Sequence, residues 1–272
     1  MMHELLALPN DGTTLTPDDV DLCLREESRI YRDGDERWTY GNSQTSVGFT
    51  LVWSRFPTPR LACRVPCPRP AFFGTEAREL MRRVAERLPV RLEGTEGFDQ
   101  DNARAVRSLR DKAVRVPAWP AAQAERWWTY MRAHDSLVQR FDTEGIFAPR
   151  VFLFSDKRAE RVRTAIAWCD AQAMIFPSCD LVLVLDRSQE PTASGRDTRL
   201  RGVMAAPQVM EALGQRLEKV PSPAGELDVL RPKATAGARK VFLDLAVEPP
   251  PSPAELEGIS ADRPIAETAP GS

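Results

Sequence analysis

Only two histidines, His3 and His134, are available as general bases in a chain of 272 residues. Nucleophilic catalysis needs a base within hydrogen-bond reach of the nucleophile and a third group to orient that base. His3 stands in an N-terminus expected to fray. His134 falls on the apolar stripe of a helix, where a hydrogen-bonded core or boundary histidine is expected. No GxSxG elbow, HExxH helix, Walker loop or GxGxxG turn occurs in the sequence.

Carboxylates and thiols are the other candidates. Asp170, Asp180 and Asp186 lie at strand ends, where a pair could serve a hydrolase or a metal-dependent nuclease. Acids in such places more often cap and turn the chain. Cys63 and Cys67 would share a strand face about 13 Å apart, too far for one ion without a sharp turn, and no second Cys/His pair has metal-ligand spacing. Cys169 and Cys179 flank an expected hairpin. Five scattered cysteines without a secretion signal read as reduced, buried thiols, which gives a cytoplasmic expectation. No cofactor, metal or catalytic residue is expected.

One feature points to a partner. The segment from Glu93 to Asp101 carries four acids, Glu93, Glu96, Asp99 and Asp101, and no base, with Phe98 in their midst. The plain reading is a solvated surface loop. The functional one is docking against a basic surface, the charges steering encounter and Phe98 anchoring it. Trp38, Trp53, Trp127 and Trp168 read as core, and Trp119 and Trp128 as candidate surface anchors.

The elements that must position these residues alternate along the chain. Thr16-Pro17-Asp18-Asp19 has the chemistry of a helix start. Strands are predicted at Arg29 to Tyr31 and Arg37 to Tyr40 around an Asp33-Gly34-Asp35 turn, at Val47 to Trp53, and at Leu61 to Val65. Thr75 is expected to cap a helix to Leu88 with Ala77, Leu80, Met81 and Val84 on its apolar stripe. Further helices are expected over Asn102 to Ala113, Ala121 to Phe141 and Pro207 to Lys219. Strands are expected at Val151 to Phe154, Val162 to Cys169, Ala173 to Phe176, Leu227 to Leu230 and Lys240 to Val247. The unbroken apolar run Leu181 to Leu185 fits a central strand covered on both faces. The pattern gives an α+β fold, a largely antiparallel sheet with several helices packed against it, in one domain over 1–248. From Pro249 the Pro-rich composition leaves little apolar side chain to offset ordering entropy, so a disordered tail is expected over 249–272.

Hydrophobic residues make up 42% of the chain, enough for a sizeable core. A net charge of −2 argues against a general nucleic-acid binder. No apolar run approaches the roughly 20 residues needed to span a bilayer, and Met1 to Asn10 lacks the basic flank of a signal peptide.

Three segments resemble a bacterial family. They are Val47-Gly48-Phe49-Thr50-Leu51 after Tyr40-Gly41-Asn42, the passage Pro68-Arg69-Pro70 to Glu76-Ala77, and Thr164-Ala165-Ile166-Ala167-Trp168 leading to Ile175-Phe176-Pro177. Over roughly residues 3 to 220 the pattern is similar to the immunity protein 52 family, immunity proteins encoded beside polymorphic toxins. The resemblance implies a cytoplasmic α+β protein, not an enzyme, that binds and neutralises a cognate toxin, a nuclease of the restriction-endonuclease type. It carries over no catalytic or ligand residue. A hydrolase or metal-dependent enzyme with an unconventional carboxylate site, and a structural or adaptor protein of a secretion system, stand as the alternatives.

Overall fold

Val47, Phe49, Leu51 and Trp53 are all buried on one face of a strand, as their alternation predicts. In this computed structural model the described residues are 1–192, 195–249, 251–252 and 255–268. They form two compact units, where the sequence suggested one continuous domain. Met1–Ala124 and the segment from Ser260 make the first, and Glu125–Ile259 the second. The α+β class holds.

The first unit contains β1 (Met2–Pro9), α1 (Pro17–Arg25), β2 (Ile30–Gly34), β3 (Arg37–Asn42), β4 (Val47–Ser54), β5 (Arg60–Pro66), α2 (Ala71–Arg87), β6 (Val90–Glu93), α3 (Phe98–Asp111) and β7 (Ala118–Pro120). Its antiparallel sheet has the order β2-β3-β4-β5-β1-β6. The N-terminal segment is therefore an inner strand, paired on both edges, and does not fray. The start of α1 is a reciprocal capping box. The Asp19 amide donates to Thr16 Oγ1 at 3.2 Å, and the Thr16 amide to the Asp19 carboxylate at 2.9 Å.

Helix α2 lays Phe73, Ala77, Leu80, Met81 and Val84 into the core on this sheet. It starts a turn earlier than its composition suggests. Thr75 is no cap: its hydroxyl donates back to the Ala71 carbonyl at 3.3 Å. The N-cap is Pro70, whose side chain cannot accept a hydrogen bond from the helix.

The second unit opens within α4 (Ala121–Asp142). It continues through β8 (Phe152–Asp156), β9 (Arg161–Cys169), β10 (Met174–Phe176), β11 (Leu181–Thr192), β12 (Gly195–Ala205), α5 (Ala206–Leu213), β13 (Leu217–Ser222), β14 (Gly225–Leu230), α6 (Thr235–Asp244) and β15 (Leu256–Ile259). Leu181–Leu185 is the inner strand that its apolar run predicts, parallel to β9 on one edge and antiparallel to β12 on the other. Strands β10, β14 and β13 form a smaller antiparallel sheet. The α4 stripe of Trp127, Tyr130, Met131, His134, Leu137 and Phe141 is buried, while Val138 is exposed.

Three expectations are corrected here. The helix expected over Pro207 to Lys219 stops at Leu213, where Gly214 takes φ +48°. Lys240 lies in helix α6, not in a closing strand. The tail is ordered over residues 255–268. Strand β15 pairs with β8, and β16 (Ala266–Thr268) runs parallel to β7 within the first unit. Ala261, Ile265 and Ala266 are buried, which supplies the apolar contacts that composition seemed to deny. Residues 250, 253–254 and 269–272 of that tail lie outside the described residues. No helix among the described residues is long and apolar enough to cross a membrane.

Candidate functional site

The acidic segment is built on two left-handed glycines. Gly94 takes φ +71° and Gly97 φ +92°, a conformation that L side chains rarely adopt. At Gly94 a Cβ would stand 2.4 Å from the Glu4 carbonyl oxygen, so β1 backs directly against the turn. Gly97 then hands the chain into α3, whose first residue is Phe98.

Phe98 is 2% exposed and cannot reach a partner. Its ring meets the His3 ring edge-on, centroids 5.5 Å apart. It also fills the space over Gly74 of α2, where a Cβ would come within 2.7 Å of Phe98 Cδ1. The expected surface anchor is thus an internal one. Asp101 is half committed as well: it accepts from His3 Nδ1 at 2.9 Å and pairs with Arg104 at 3.1 Å. His3 itself is 5% exposed, a boundary residue turned structural.

What remains outward is acidic. Glu93, Glu96 and Asp99 are exposed. Glu93 lies 3.4 Å from Arg91 across open surface, a contact that water screens. Glu96 and Asp99 have no ion pair among the described residues. The exposure of Glu93, Glu96 and Asp99 agrees with the sequence reading, whereas Asp101 is partly committed and Phe98 is buried. No helix signal surrounded Gly74 in the sequence, which places it just before the expected helix start at Thr75, and only the observed α2 shows that its missing Cβ leaves room for the Phe98 ring.

Of the other chemical candidates, His134 and Asp180 are held in structural bonds. His134 is buried, and its Nε2 lies 3.2 Å from the Ala148 carbonyl. The Asp180 carboxylate accepts from the Thr164 amide and hydroxyl at 2.7 and 2.8 Å, tying β9 to the start of β11. Asp170 sits in a left-handed turn with φ +48°. Asp186 lies inside β11, opposite Arg199.

Burial pushes the thiols up, Cys67 to about 11 and Cys179 to about 12, with the nearby charges of Asp101 and Asp180 adding to the effect. Both are therefore protonated at neutral pH and poorly suited as nucleophiles or ligands. Among the described residues no group of three or more His, Cys, Asp or Glu side chains is arranged to hold a metal ion. Trp119, read as a surface anchor, is fully buried and stands edge-on to Phe72.

A buried carboxylate escaped sequence reasoning. Glu76 is 3% exposed and accepts from Tyr40 Oη at 2.7 Å, Asn42 Nδ2 at 3.0 Å and Thr45 Oγ1 at 2.9 Å. These donors tie α2 to β3 and the β3–β4 turn, satisfying a charge that burial alone would penalise. Tyr40 is held neutral to about pH 12 by burial and by the Glu76 charge beside it. The cue was Glu76's place one turn before Leu80 on the apolar side of α2.

Comparison with protein-family models, curated proteins and solved structures finds no match to this chain.

Proposed function

We propose that this protein binds and neutralises a cognate toxin in the cytoplasm, docking a basic surface of that toxin against Glu93, Glu96 and Asp99. One observation carries the reading: Glu96 and Asp99, exposed and without an ion pair among the described residues, flank Gly97 beside a turn whose backbone is fixed from beneath. A preorganised charged surface loses little entropy on binding, and uniform charge accelerates encounter with an opposite one. The commitment of both histidines and of Asp180 to structural bonds favours binding over catalysis. The resemblance to immunity proteins supplies the class of partner, a toxin of nuclease type.

Co-expression tests the proposal. The product of the neighbouring reading frame should arrest growth when produced alone. It should be tolerated when this protein is produced with it. Toxicity that this protein does not relieve, or a neighbour with no toxicity, would remove the functional assignment.

A further inference from the structure

The face of α3 away from the sheet helps form a second feature of the first unit. A cleft of about 780 Å³ lies between α3 and the segment Ile265–Thr268. Ala71, Ala103 and Val106 line it with exposed or part-exposed apolar surface, and the buried Pro68, Ile265 and Ala266 complete the lining. At one end stand Arg107 and Arg110, three residues apart and therefore neighbours on the helix surface. Both are exposed, and neither has a carboxylate partner among the described residues.

Neither acid that lines this cleft forms an ion pair with Arg107 or Arg110. Glu267 turns its carboxylate to the N-terminus of α2, where Oε2 accepts from the Ala71 amide at 2.7 Å. Asp99 lies eight residues before Arg107 in α3, about 12 Å away along the axis at 1.5 Å per residue. The result is a trough with apolar sides and two uncompensated guanidinium groups at one end. Its volume falls in the range of roughly 300–1,000 Å³ typical of small-molecule sites.

We infer that this cleft binds a medium-chain carboxylate, the carboxylate held by Arg107 and Arg110 and the chain lying along Ala103 and Val106. Two planar donor forks within one helical turn suit a carboxylate better than a point charge does. The apolar walls supply the rest of the affinity, which should grow several-fold for each methylene group buried.

Calorimetric titration of the full chain with decanoate, hexanoate and decanol tests this. Decanoate should bind, hexanoate at least tenfold more weakly, and decanol at least tenfold more weakly as well. The double variant Arg107→Ala/Arg110→Ala should lose at least tenfold for decanoate and leave decanol unchanged. Ala103→Trp should fill the trough and abolish binding of both. All three substituted positions are exposed, and an unchanged thermal midpoint would show that the variants remain folded. No binding of decanoate overturns the inference. So does equal binding of decanol, or decanoate affinity that survives loss of both arginines.

Discussion

The ring of Phe98 stands edge-on to that of His3, with centroids 5.5 Å apart and planes at 78°. Through this contact the inner strand β1 holds the first turn of α3, and with it the acidic segment that precedes it. Phe98→Ala should cost about 3–5 kcal/mol, since the ring is buried and its loss leaves a hole over Gly74. Denaturant unfolding of the full chain measures this. A cost below about 1 kcal/mol would mean that the ring does not hold the loop.

Gly74→Ala approaches the same contact from the other side. In an exposed helix the change would stabilise by about 1 kcal/mol. Here the new methyl group would sit 2.7 Å from Phe98 Cδ1, and the ring must move. The net effect should be destabilising by about 1–3 kcal/mol. The double variant with Phe98→Leu should recover part of the loss, read as a positive coupling in a double-mutant cycle.

Removal of residues 260–272 should lower the midpoint of thermal unfolding of the first unit by more than about 4 °C. The described part of that segment buries Ala261, Ile265 and Ala266 and presents the Glu267 carboxylate to the uncapped start of α2. Glu267→Ala alone should cost about 0.5–2 kcal/mol, the usual worth of a helix cap. Calorimetry on both variants checks the pair. An unchanged midpoint for the truncation would contradict the docking of this segment.

Alkaline pH should destabilise the first unit. Tyr40 has its pKa raised from 10.0 to about 12, first by burial and then by the charge of Glu76. Because the folded value lies above the unfolded one, this stability is fully present below pH 10 and is lost as pH rises towards 12. The amount is on the order of 2 kcal/mol, and Cys67, raised to about 11, adds in the same direction. Unfolding free energy measured across this range should decline, and Tyr40→Phe should flatten the decline while lowering stability at neutral pH by loss of the bond to Glu76. A decline of equal steepness in the variant would place the titration elsewhere.

Local signals in the sequence were read well where the cause was local. Thr16 and Asp19 cap α1 with each other, and the run Leu181–Leu185 is an inner strand paired on both edges, with Val182 and Val184 buried on one face and the leucines half-buried on the other. Errors arose where distant segments decide. Phe98 has the look of a loop aromatic until Gly74 of α2 and His3 of β1 enclose it. Trp119 is buried partly against Phe72, and Ile265 finds a core only because the C-terminal segment returns to the first unit. Composition alone cannot register a core supplied by residues elsewhere in the chain. The outward acids were legible because exposure of Glu96 and Asp99 follows from their own chemistry.

The most direct test of the proposed docking surface is the association rate with the neighbouring toxin, measured for the intact protein and for Glu96→Lys/Asp99→Lys at low and at high salt. Steering by exposed charge acts on encounter, so the variant should associate about tenfold more slowly at low salt. Its dissociation rate should change little, and the difference should shrink as salt screens the field. Equal association rates at low salt for the two proteins would place the interface away from Glu96 and Asp99 and contradict the assignment.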